Sequence, residues 1–195
     1  GNWDPSGVPA SGHAVYVDPG NGVTVTGPSA ATTVESLEVG ATTNGVAGLV
    51  LQSGGPLTVS DTVTITSRGR LAGAGLLVAG SGLTNHGEID LGASGLQLAG
   101  GTLANDGVIR GGGRVENGLS NLAAGEVRVG AGERTVFAGS TNMNAGKVEV
   151  IGGEVEFTAA LTNAASTGLV TGRDAMLRFT GGLTNNGAVA LSFGT

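Results

Sequence analysis

The chain has 195 residues, of which 39 are glycine, with 12% charged and 3% aromatic residues, a net charge of −6 and a mean hydropathy of +0.22. One glycine in five without a G-X-Y period excludes collagen, and the low charge with abundant Val, Leu and Ile argues against a disordered chain. Nine basic residues against fifteen acidic, with no Lys/Arg run, argue against a nucleic-acid partner; without cysteine there is no disulfide, thiolate nucleophile or Cys-based metal site, and no apolar stretch reaches the roughly 18 residues of a membrane span, so no membrane insertion is expected.

Residues 1–14 resemble nothing later in the chain. They hold Trp3, the only tryptophan, with Pro5 and Pro9, and no signal-peptide pattern starts at Gly1. From there to about residue 82, "HAVYVDPG", "GVTVTG", "VESLEVG", "GLVLQSG" and "DTVTITSRG" are short alternating strands punctuated by Gly, Pro and Asp. From 83 onward the same grammar becomes periodic. The element G-x-Φ-x, with Φ apolar, recurs at Gly87, Gly107, Gly125, Gly146, Gly168 and Gly187, in steps of 20, 18, 21, 22 and 19 residues. Asparagine precedes these glycines at Asn85, Asn105, Asn121, Asn144, Asn163 and Asn185, usually with Leu two positions earlier, and Phe137, Phe157 and Phe179 follow in one register.

A repeat of about 20 residues, with period-2 apolar alternation and no helical stripe, is one turn of a coil. The fold expected is all-β: a single-domain parallel β-helix, right-handed, of roughly ten coils, with residues 1–14 as an N-terminal cap and 15–195 as the solenoid, irregular to about 82 and regular over 83–195. In such a stack identical positions lie about 4.8 Å apart. Ile89, Ile109, Val127, Val148, Val170 and Val189 then form an inner aliphatic column, the three phenylalanines an aromatic one, and the six asparagines a side-chain amide ladder. Asparagine and glycine at the corner are expected to take left-handed backbone geometry. Outward, Asp90 faces Arg110 and Arg128 faces Glu149 on neighbouring coils.

Candidate chemistry is sparse. G-x-S-x-G, H-E-x-x-H, the P-loop and the nonapeptide calcium repeat are all absent. Glu126 with Glu149 and Glu154 with Glu156 are the best carboxylate pairs for an enzyme of the polysaccharide-cleaving kind, but their equivalents in other coils are apolar or neutral, as at ordinary surface positions. His13 and His86 stand in different coils. The T-x-T pairs at 23–26 and 62–66 suggest an ice- or mineral-binding face only if they continue in register, and the expectation is a protein with neither catalytic activity nor cofactor nor metal.

The opening "NWDPSGVPASGHAVYVDPGNGVTVTG" and the units "LTNHGEI" and "LANDGVI" resemble exported β-solenoid proteins of bacteria, notably of planctomycetes, and more loosely autotransporter passenger domains and filamentous haemagglutinin-like adhesins. That resemblance spans almost the whole chain. It implies an extracellular or cell-surface structural role, or alternatively a surface adhesin or glycan-binding module with cell-surface glycans as partners, or a fragment of a longer passenger. Val189, Leu191 and Phe193 alternate as a strand up to Gly194, so the C-terminal coil is expected to be covered, either by further coils or by the N-terminal face of a second copy around Trp3, Val15 and Val17.

Overall fold

The computed structural model describes residues 9–18, 22–40, 45–92 and 95–193; the expectations for Trp3 and Pro5 lie outside the described residues. No helix occurs among these residues. They form 26 strands of three to five residues, beginning at Ala14–Val17 and ending at Ala188–Ser192. Each coil contributes one strand to each of three parallel sheets, which hold nine, nine and eight strands. The chain is therefore a β-solenoid of about 8 turns with ~21 residues per coil, fewer turns than the ten expected. The difference arises in the N-terminal coils, where the register pairs Leu37 with Val63, a wider coil than any in the periodic part. Variable coil length, not a different fold, is what blurs the period before residue 82.

One sheet carries the asparagines, one most of the charges and one the phenylalanines. In the charged sheet Ile89, Ile109, Val127, Val148 and Val170 lie in register on one inner column and are 0 to 1% exposed. Val189 continues the column but is 37% exposed, because among the described residues no strand lies beyond it. Phe137, Phe157 and Phe179 pair in register with ring centroids 4.9 and 5.9 Å apart and planes within 11°. The first two rings are fully buried.

The asparagine column forms the expected ladder. Each Nδ2 donates to the Oδ1 one coil on, at 2.7 to 2.8 Å, from Asn85 through Asn105, Asn121, Asn144 and Asn163 to Asn185. Five of the six are completely buried. The same amides also donate to the backbone of the following corner, Asn105 to Gly107 O, Asn121 to Gly125 O and Asn163 to Gly168 O, at 3.1 to 3.2 Å across 2, 4 and 5 residues. Inserted residues thus loop outward while the ladder stays in place.

The corner geometry corrects one expectation. The positive-φ non-glycine residues among those described are Ser166 and Asp174; neither the ladder asparagines nor Gly87, Gly107, Gly125, Gly146, Gly168 or Gly187 adopt left-handed backbone. Glycine is required there by close approach instead. A Cβ at Gly107 would overlap the carbonyl oxygen of Gly87, one at Gly146 that of Gly125, and one at Gly187 that of Gly168. The coils touch backbone to backbone at this corner, and any side chain would force them apart.

A further polar residue stands inside. Asn142 occupies the position held by Leu119 and Leu161 in adjacent coils, and its Oδ1 accepts from Leu119 N at 3.3 Å. In the other periodic coils the equivalent leucine N–H bonds to a backbone carbonyl, as Leu103 N does to Gly118 O, so Asn142 satisfies a donor that the backbone leaves unpaired at this coil.

Two substitutions test these packing arguments. Phe157→Ala is expected to lower stability by about 3–5 kcal/mol by opening a cavity between two rings, and Asn121→Ala by about 2–5 kcal/mol by stranding Asn105 Nδ2 and Asn144 Oδ1. Urea unfolding followed by circular dichroism reads both, and a loss under 1 kcal/mol at either site would contradict the corresponding column.

Candidate functional site

The carboxylates singled out in the sequence all lie on outward columns and all meet cations. Arg70 and Arg110 flank Asp90 at 2.6 and 2.9 Å from neighbouring coils, so the expected Asp90–Arg110 contact forms. Arg128 and Glu149 are register partners as expected, but the guanidinium closes on Glu126 of its own strand, at 2.5 Å, and Lys147 takes Glu149 at 2.8 Å while reaching Glu126 at 3.3 Å. Two residues apart on one strand face the same way, so a same-strand partner competes directly with the cross-coil one. Glu154 and Glu156 share Arg134 at 3.2 and 2.6 Å, and Glu154 also meets Arg178 at 2.9 Å. The arrangement is an ion-pair ladder along the rod. The hydrogen bond from Arg128, with that from Lys147, holds the Glu126 carboxyl below its ordinary 4.5, against the opposing effect of its partial burial.

Other sequence candidates are scattered. His86 Nδ1 lies 3.4 Å from the Asp106 carboxylate one coil away, both exposed. That pair was not foreseen, although each residue directly follows a ladder asparagine and the ladder register alone would have brought them together. His13 Nδ1 accepts from Ala10 N at 3.2 Å. Among the described residues no three His, Cys, Asp or Glu are grouped to hold a metal ion, and no helix is long and apolar enough to cross a membrane. The threonine arrays do not continue: Thr24 and Thr26 pair with Gly48 and Val50, and Thr64 and Thr84 give way to Ala104.

The two ends differ from everything between them. In the last coil Val189, Leu191 and Phe193 are 37%, 61% and 82% exposed, the first two on a strand paired on one side only, to Leu169–Arg173, and Phe193 just past its end. At the other end Val15 and Val17 point inward and are buried. Together with Pro9, Leu37, Leu49 and Leu57 they line an apolar cavity of about 350 Å³. Val15 and Val17 are thus core residues of the first coil beside this cavity, whereas Leu191 and Phe193 are exposed in the last. Trp3, expected beside them, lies outside the described residues.

The depressed Glu126 carboxyl sets a pH dependence. A group whose folded pKa is lowered contributes stability above its unfolded pKa and loses it as pH falls through the folded value. Glu126→Gln should therefore lower the thermal midpoint near neutral pH and have a smaller effect at strongly acid pH, as the wild-type carboxyl protonates on falling through its lowered folded value. An equal effect at both pH values would show that the Arg128 and Lys147 contacts contribute nothing.

No protein family, curated protein or solved structure compared with this chain matches it.

Proposed function

We propose that this chain is a non-enzymatic structural protein of the cell exterior, a β-solenoid rod that stacks end to end into a filament or surface layer. The observation that carries the reading is the contrast between the two ends. An apolar coil with Leu191 and Phe193 exposed stands at one end, and an apolar cavity lined by Val15, Val17 and Leu37 lies in the first coils at the other. All three sheets are parallel, so a second copy placed head to tail meets strands of the same direction. Further coils of a longer chain would use the same surface in the same way. A head-to-tail contact repeats without closing, which makes a fibre rather than a ring. The extracellular setting is supported by the resemblance of "LTNHGEI" and "LANDGVI" to exported repeat proteins, and self-association needs neither nucleic acid nor membrane insertion.

Electron microscopy and sedimentation of the purified chain test this. Filaments or rods with an axial repeat of roughly 38–43 Å are expected, from eight to nine coils at ~4.8 Å each. Leu191→Asp with Phe193→Asp should leave single short particles by placing charge where a dry contact forms. A wild-type chain that stays monomeric at high concentration refutes the reading.

A further inference from the structure

Among the described residues an Asn or Asp stands directly before glycine at Asp106–Gly107, Asn117–Gly118 and Asn186–Gly187; Asn21 and Asn44 also precede glycine but lie outside them. A following glycine has no Cβ to obstruct its own backbone nitrogen, so that nitrogen can reach the preceding side-chain carbonyl carbon. Attack on an Asn Cγ forms a C–N bond and expels ammonia. The cyclic imide then takes up one water at either of its carbonyls and opens to aspartate or isoaspartate. The reaction needs a side chain that can turn, a glycine nitrogen not engaged elsewhere, and access for water.

The three positions differ in these respects. Asn117 is completely buried and its Nδ2 donates to Gly101 O at 2.6 Å, so its amide is both held and kept from water. The Asp106 carboxylate faces His86 Nδ1 at 3.4 Å, and the Gly107 N–H donates to Asn85 O at 3.0 Å. Asn186 is exposed, and its side chain makes no hydrogen bond among the described residues. The Gly187 N–H also has no acceptor among them, whereas Gly87, Gly107, Gly125 and Gly168 donate at 2.9 to 3.2 Å from the same corner. Asn186 directly follows the ladder, where His86 and Asp106 stand in inner coils with side chains 46% and 41% exposed. Its exposure thus belongs to the outward column and does not require an uncovered coil.

We propose that Asn186–Gly187 is a self-modification site, at which the Gly187 nitrogen closes on Asn186 Cγ, ammonia leaves, and hydrolysis places a carboxylate on the corner. The isoaspartate product also routes the main chain through the former side-chain methylene, adding one backbone carbon. This corner has no room for it, since a Cβ at Gly187 would already overlap the carbonyl oxygens of Gly168 and Ala164. The added carbon therefore displaces Ala188–Ser192 from its register with Leu169–Arg173. The chemistry is independent of end-to-end stacking and needs no co-reactant but water.

Peptide mass spectrometry of the chain incubated at mildly alkaline pH tests this, with the same chain in concentrated urea as the reference. In the folded chain Asn186 should convert at least about tenfold faster than Asn117, which must open locally first. In urea both are plain Asn-Gly and the two rates should converge. Asn186→Gln should remove the conversion at this corner, because the longer side chain would have to close a larger ring. The isoaspartate form, separated by ion exchange, should exchange the amide hydrogens of Ala188–Ser192 faster than Asn186→Asp, which adds the charge without the backbone carbon. The proposal is overturned if Asn117 converts as fast as Asn186 in the folded chain, if Asn186 converts only in urea, or if the isoaspartate form and Asn186→Asp exchange alike.

Discussion

The rod depends on successive coils keeping one phase, and the buried asparagine ladder is the contact that enforces it. Each internal asparagine donates to the next and accepts from the one before, so neither half of the amide is left without a partner in the apolar interior. Sliding one coil by a single residue would turn its asparagine outward and a small polar residue inward, stranding donors on one neighbour and acceptors on the other at about 1–3 kcal/mol each. An aliphatic column has no such penalty, because one methyl group packs on another in several registers. The ladder specifies; the Val, Leu, Ile and Phe columns supply most of the burial.

Fixing the phase at one corner frees the others. Since Asn105, Asn121 and Asn163 bond the carbonyl of the following glycine across 2, 4 or 5 residues, loops can lengthen without disturbing the layers. The three faces can then differ. Beyond Glu38, outward positions of the asparagine sheet run Thr64, Thr84, Ala104, Ser120, Met143, Thr162 and Thr184, with no charge among these seven, while the cation-to-carboxylate ladders sit on the other two sheets.

How much of this was legible in the sequence depended on whether a feature repeats. The three columns could be assigned because Asn, Phe and the aliphatic residues recur at one phase, and the strand alternation fixed which way each points. Features that occur once left no periodic trace. Asn142 reads as one more polar residue until the unpaired Leu119 N–H beneath it is seen. The choice of Arg128 for Glu126 over Glu149 is a competition between a same-strand and a cross-coil carboxylate, which register alone does not decide. The corner glycines were rightly placed but for the wrong cause, since close backbone approach and positive φ select the same residue. The number of turns was overestimated because the N-terminal coils are longer than the periodic ones from which the average was taken.

A stack held together by contacts between neighbouring coils is not uniformly stable along its length. An inner coil has a partner above and below; an end coil has one, so its strands lose half of their hydrogen-bond partners and most of their apolar cover. The C-terminal coil shows this directly, with Leu183–Asn185 and Ala188–Ser192 exposed throughout although their sequence is like that of the buried coils. Asn185 accepts from Asn163 and has no coil beyond it to donate to among the described residues. The same residues that make an inner coil rigid therefore make an end coil adhesive. Adding a coil there, from whatever source, buries Val189 and Leu191, offers Asn185 a next amide and converts an end into an interior, which is why a protein of this construction gains stability by growing along its axis and not by enlarging its core.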